Sequence, residues 1–184
     1  ICNGFQILVR LGILPGWEGL KSASLIENVS AKFEDRWVTL RADGVDSPFL
    51  SASETGQVIR MPVAHKEGRF VLRDPAELER LRERGQIAFV YCRSDSNENA
   101  EGEYPANPNG SIADIAGITN EAGNVLGLMP HPERFLTRFQ DPLWTRRDAS
   151  ELDAADASTG GDGFALFLGA VDSVREARRE ATSS

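Results

Sequence analysis

The stretch that most constrains this chain is its beginning. Cys2 is followed by a small-residue turn, Asn3-Gly4, and then by Phe5, Leu8 and Leu11 at helical spacing. That order predicts a nucleophile elbow, a sharp turn into a helix that pushes the cysteine side chain clear of the backbone. A helix N-terminus behind a thiol favours the thiolate, and the N–H of the next residue, Asn3, can face a developing oxyanion. Turns of the form C-x-G also arise by chance in many folds, so the thiol needs a base before the reading has force.

The search for that base is short, because the chain has two histidines, His65 and His131. His131 lies in Met129-Pro130-His131-Pro132-Glu133-Arg134, directly after the apolar run Val125-Leu126-Gly127-Leu128. This order predicts a strand that delivers an imidazole at its end, with a carboxylate two residues on to hold the ring tautomer. Pro130 and Pro132 restrict the backbone on both sides, which suits a side chain that must be aimed. The plainer alternative is a structural loop histidine with Glu133 merely solvated. His65 has no such His-Pro-Glu partner and reads as a histidine that shapes a pocket or caps a strand.

Composition enters by exclusion. A net charge of −8 with no basic stripe argues against nucleic acid as a partner. No apolar run approaches the roughly 18 residues of a membrane span, and no secretory signal is visible. Cys2 and Cys92 make no disulfide framework, so a reducing cytoplasm is the expected home. Two histidines and no C-x₂-C pair are too few for a zinc site. At 184 residues the chain can bury one core.

In chain order, a helix is expected from Gly4 to Leu11 and a loop over residues 17–31. Strands are expected at Arg36–Leu40 and Val58–Ala64, the second ending at His65. Asp74-Pro75-Ala76-Glu77 starts a helix that Gly85 closes. Ile87–Cys92 reads as a buried strand, with Cys92 a packing residue. Residues 93–111 form a long loop ending in the tight-turn run Asn107-Pro108-Asn109-Gly110-Ser111. Ile112–Ile118 and Val125–Met129 read as strands joined by a hairpin-type turn. Residues 134–147 are basic and aromatic, either a docking patch or ordinary packing. Asp162 caps a last helix whose Phe164, Phe167, Leu168, Val171 and Val174 are expected to pack on the sheet.

Taken together, C-N-G-F-Q at one end and M-P-H-P-E-R toward the other resemble class I glutamine amidotransferases, which use a Cys–His–Glu triad. Pro62–Phe70, Asn107–Ser111 and Ile115–Ile118 narrow this to the glutaminase component of phosphoribosylformylglycinamidine synthase. The resemblance runs from residue 1 to about Arg134, with a weaker match in the last helix. It implies an α/β, flavodoxin-like three-layer sandwich with a mainly parallel central sheet. In that family half the sheet precedes the cysteine, so residues 1–184 are expected to be the C-terminal portion of one domain, lacking its N-terminal portion and carrying a flexible insert at 148–161.

The resemblance also implies roles. Cys2, His131 and Glu133 form the triad, and the N–H of Asn3 belongs to the oxyanion hole. Gln6, His65, Gly68, Arg69, Asn109, Gly110 and Ser111 are expected around the substrate glutamine. No cofactor or metal is expected in this chain, since ATP and magnesium belong to a synthetase partner that receives the ammonia; an additional small subunit is left open. Two other readings stay open: a stand-alone γ-glutamyl hydrolase or cysteine peptidase-like relative, and an inactive fragment with a binding role.

Overall fold

A computed structural model describes residues 1–17, 22–50, 55–146 and 160–183. The elements are α1 (Asn3–Arg10), β1 (Ala23–Ile26), β2 (Glu34–Ala42), β3 (Val58–His65), β4 (Arg69–Leu72), α2 (Ala76–Glu83), β5 (Ile87–Cys92), β6 (Ile115–Thr119), β7 (Leu126–Leu128) and α3 (Phe164–Ser183). Single 3₁₀ turns occupy 112–114, 132–134, 138–140 and 144–146. Residues 148–159 of the expected insert, and Arg147, lie outside the described residues.

Five strands form one sheet in the order β3-β2-β5-β6-β7, and β1 pairs with β4 in a separate two-stranded sheet. Every pairing is antiparallel, which corrects the expectation of a mainly parallel sheet for the described residues. The reason lies in the connections. β2 and β3 are consecutive strands that turn back on each other, and so are β6 and β7. The helix α2 joins β4 to β5, which belong to different sheets, so no helical crossover returns to a parallel neighbour.

Two apolar cores flank the five-stranded sheet. Leu40, Met61, Val63, Phe89 and Tyr91 form one with Leu166 of α3. Phe5 and Val9 of α1, Leu81 of α2, Phe70 of β4 and Ile87, Val90 and Ile118 of the sheet form the other. β5 contributes to both, and all six of its residues are buried, as its unbroken apolar run requires.

The start of α2 follows its sequence closely. Asp74 accepts the Ala76 N–H through its carboxylate, and Glu77 reaches back to the Asp74 N–H. Three expectations change. β1 falls inside the stretch read as loop, where four residues pairing with β4 carry too short a pattern to be seen. The strand expected from Ile112 starts at Ile115, because Ala113 and Asp114 take left-handed φ of 50° and 58° that break extended backbone. The apolar face expected to seat α3 is largely exposed at Phe167, Leu168, Val171 and Val174; Leu166 is the residue of this helix buried in the core.

In the basic aromatic stretch, Phe135 is buried edge-on to Trp37, and Phe139 meets Trp144 edge-on. Arg60 joins it by an ion pair to Asp141. Phe135 and Asp141 are the buried residues of its described part, while Phe139, Leu143 and Trp144 are exposed.

Candidate active site

Cys2 stands at the N-terminus of α1 with φ 50° and ψ −108°, outside the regions an L-residue normally occupies. Strain of this kind is held only where surrounding contacts over-determine it. Here the Cys2 N–H donates to Leu128 O of β7 at 2.7 Å, and the Gly4 N–H to Ile1 O at 2.8 Å. Phe5, fully buried, nails the first turn of α1 down. It does so against Gly127 of β7, where any Cβ would collide with the Phe5 ring and with Leu14.

The far edge of the same sheet supplies the rest. β3 is an edge strand, and its outer side presents the Ala64 carbonyl to Cys2 Sγ at 3.9 Å. Two residues earlier on that edge, Pro62 O accepts the His131 N–H at 2.8 Å. The sheet thus curls until the chain leaving β7 reaches β3, and Cys2 and His131 dock side by side on one strand end. His131 Nδ1 lies 2.5 Å from Glu133 Oε1. Its Nε2 is buried and has no partner among the described residues. A carboxylate on Nδ1 sets the neutral tautomer with its lone pair on Nε2, which is the form a thiol proton needs.

Asn3 and Gln6 line a cleft of about 600 Å³ together with Ile7, Arg10, Ser24 and Glu67. The Gln6 side chain donates to the Glu67 carbonyl at 2.6 Å and so ties α1 to the β3–β4 loop. His65, at the end of β3, is 3% exposed, and neither ring nitrogen has a partner among the described residues. Burial, and then the charge of nearby His131, lowers its pKa from 6.5 to about 4, with Glu34 opposing.

The remaining expected pocket residues build the support behind His65. Asn109, fully buried, donates to Gly68 O at 2.9 Å and to the Tyr91 hydroxyl at 3.2 Å. Its side-chain oxygen accepts from the Ser111 N–H and hydroxyl. Arg69 Nε donates to Gly110 O, and Gly110 takes φ 79° with its N–H on Asn107 Oδ1. Their polar groups are spent on one another. Asn28 completes the support and had no signal in the sequence, being one asparagine in a polar run. It donates to Lys32 O and His65 O and accepts the Gly68 N–H. Tyr91 was equally invisible, lost in the apolar pattern of β5; burial pushes its hydroxyl pKa up.

Cys92 is buried and free, and burial raises its pKa, as suits a packing thiol. Among the described residues no group of three or more His, Cys, Asp or Glu could hold a metal ion. Among them, too, no helix is long and apolar enough to cross a membrane.

Residues 1–172 match the family of CobB/CobQ-like glutamine amidotransferase domains. The chain belongs to that family. Among its relatives is phosphoribosylformylglycinamidine synthase subunit PurQ of Aquifex aeolicus, 46% identical over 134 residues, 73% of this chain and 54% of the relative. The same subunit of Mesorhizobium japonicum is 44% identical over 171 residues, 93% of this chain and 60% of the relative. A solved structure, PurLQS from Thermotoga maritima, aligns with a TM-score of 0.61 at 34% identity, covering 94% of this chain and 59% of that one. The chain spans about half the length of the curated relatives it matches. The α/β fold of the described residues is similar to that of this structure.

Proposed function

We propose that this chain is the glutaminase part of phosphoribosylformylglycinamidine synthase, with Cys2, His131 and Glu133 as its catalytic groups. The observation that carries the reading is the pair of contacts on one edge of β3: Ala64 O to the strained Cys2, and Pro62 O to His131, whose ring Glu133 orients. The family's description supports glutamine as the substrate, and the relatives' names, as a synthase subunit, support a partner. The parallel strands and three-layer sandwich of the resemblance would, on this reading, belong to the part of those relatives beyond the matched region.

The steps follow from the groups. His131 Nε2 takes the Cys2 proton, and the thiolate attacks the δ-carbon of the glutamine side-chain amide. The tetrahedral oxyanion faces the N–H of Asn3, one of the first donors of α1 and without an intrahelical acceptor. His131 returns its proton to the departing nitrogen, so ammonia leaves and a γ-glutamyl thioester remains. Water, deprotonated by His131, attacks the thioester; glutamate leaves and the thiol is restored. The sum is glutamine plus water giving glutamate plus ammonia. Ammonia released to neutral water would be protonated, so the reading assigns its capture to a synthetase subunit carrying ATP and magnesium. There it converts formylglycinamide ribonucleotide to formylglycinamidine ribonucleotide.

Peptide mass spectrometry after exposure to a γ-diazoketone analogue of glutamine tests this. One adduct on Cys2, blocked by glutamine and absent in Cys2→Ala, is expected. Turnover that the synthetase leaves unchanged would favour a stand-alone hydrolase. No labelling with the synthetase present would sink the glutaminase reading.

A further inference from the structure

The expected role of His65 was contact with glutamine, but its surroundings describe a different one. The ring is buried at the end of β3, one residue beyond the carbonyl that faces Cys2 and three beyond the one that holds His131. Gly68 lies directly on it: a Cβ there would land inside contact distance of three of its ring atoms. Gly68 cannot move away, since Asn28 Oδ1 accepts its N–H at 3.0 Å and Asn109 donates to its carbonyl at 2.9 Å. The Asn28 side chain also grips His65 O at 2.9 Å. Two amide side chains thus hold a backbone plate over one imidazole. Both ring nitrogens of His65, and Nε2 of His131, are buried without a partner among the described residues. Buried polar atoms without partners are rare enough in folded proteins to mark a place where chemistry outranks stability.

We propose that His65 is a positioning residue for His131: pressed by the Gly68 plate at the strand end that holds the His131 N–H and faces Cys2, it sets the place of that imidazole. This rests on Cys2, His131 and Glu133 being the reacting groups. When His131 takes the Cys2 proton it becomes a cation, and a second cation beside it would push the proton back and disfavour the thiolate. Among the described residues, the charges that bear on the ring are His131, from the loop after β7, and Glu34, the β2 residue paired with His65. On its own loop, Lys66 turns outward to Glu27 and Glu67 is exposed. Glu34 in turn is held by Ser30 and Arg36. His65 therefore supplies bulk and polarity without charge.

The test uses the full chain with the synthetase, as wild type, His65→Gln and Gly68→Ala. Gly68→Ala leaves every ionisable group in place and drives a methyl group into the imidazole. The first readout is the rate of Cys2 alkylation by iodoacetamide against pH, located by peptide mass spectrometry; it reports the thiolate and needs no turnover. The second is kcat and KM for glutamine. In both variants the alkylation midpoint should rise by about one unit or more, and kcat should fall at least about tenfold with KM changed less than about threefold. A raised KM with kcat unchanged would make His65 a wall of the substrate pocket and overturn the proposal. An unchanged midpoint and kcat in both variants would overturn it too. If His65→Gln fails to fold, Gly68→Ala decides alone. Wild-type protein that alkylates readily at Cys2 but never hydrolyses glutamine would refute the proposed reaction, and the alkylation profiles would still judge His65.

Discussion

At the residue scale, the two histidines face opposite demands, and each makes a prediction. Glu133 binds Nδ1 of His131 while its own side chain is 45% exposed. Water can partly replace it, so Glu133→Gln should lower kcat by about 10²- to 10³-fold, less than the roughly 10⁴-fold loss known for a buried orienting carboxylate. Steady-state glutaminase rates check this, and a change under about threefold would remove Glu133 from the triad. His65 instead makes a prediction about stability. Its folded pKa of about 4 lies below the unfolded 6.5. The unfolded chain therefore binds the extra proton between those values, and folding loses stability as pH falls through that window. Above about pH 7 the penalty is absent; by pH 4 it reaches about 3 kcal/mol. Urea unfolding at pH 7 and pH 4.5 should show His65→Gln losing less stability on acidification than the wild type. Equal losses would mean that the ring is not buried as described.

At the element scale, the site depends on loops held by amide side chains more than on the strands themselves. Asn28 offers the clearest test. Asn28→Ala leaves the Gly68 N–H and the carbonyls of Lys32 and His65 without their partner. A buried group stripped of its hydrogen bond costs about 1–3 kcal/mol, so a total loss of about 2–4 kcal/mol is expected by chemical denaturation, with glutaminase activity falling alongside. Stability within 0.5 kcal/mol of wild type, roughly the level of an inert surface change, would deny the clamp. This element also shows where sequence reading stops. Cys2, His131 and Glu133 were legible because the residue types are scarce and each sits beside turn chemistry. β2, β3, β5 and α2 were legible from apolar alternation and from the Asp74 cap. Asn28 and Tyr91 were not, because their partners lie across the fold, 37 to 40 residues away for Asn28. Strand direction escaped for the same reason: each strand's pattern states which face is buried but not which neighbour it meets. α3 misled because its apolar spacing resembles a buried face that the structure leaves to solvent.

At the scale of the whole molecule, the proposed triad is assembled from distant parts. Cys2 comes from the start of the chain, the β3 edge from its middle, and His131 from beyond β7. Such a site exists only while both flanking cores are intact, so local melting on either side should abolish it. β5 is the shared wall: Phe89 and Tyr91 face one core, Ile87 and Val90 the other. Two tryptophans report different places in the fold, one inside the second core and one on the outer strands. Trp17 is buried in the second core with its Nε1 on Gln86 at 2.8 Å. Trp37 lies on β2 against Phe135, next to the 132–134 turn that carries Glu133. If the sheet couples the cores, the two should unfold together. In a Trp144→Phe background, adding Trp37→Phe or Trp17→Phe leaves one reporter at a time; each variant's fluorescence should give a urea midpoint coinciding with its own circular dichroism. Phe89→Ala, a cut of about 3–5 kcal/mol into the shared wall, should then lower both midpoints together. A Trp37 midpoint that falls while Trp17 stays fixed would show two units rather than one. Cys2 and His131 would then be held by halves that part before the chain unfolds, and glutamine turnover should disappear at the earlier transition.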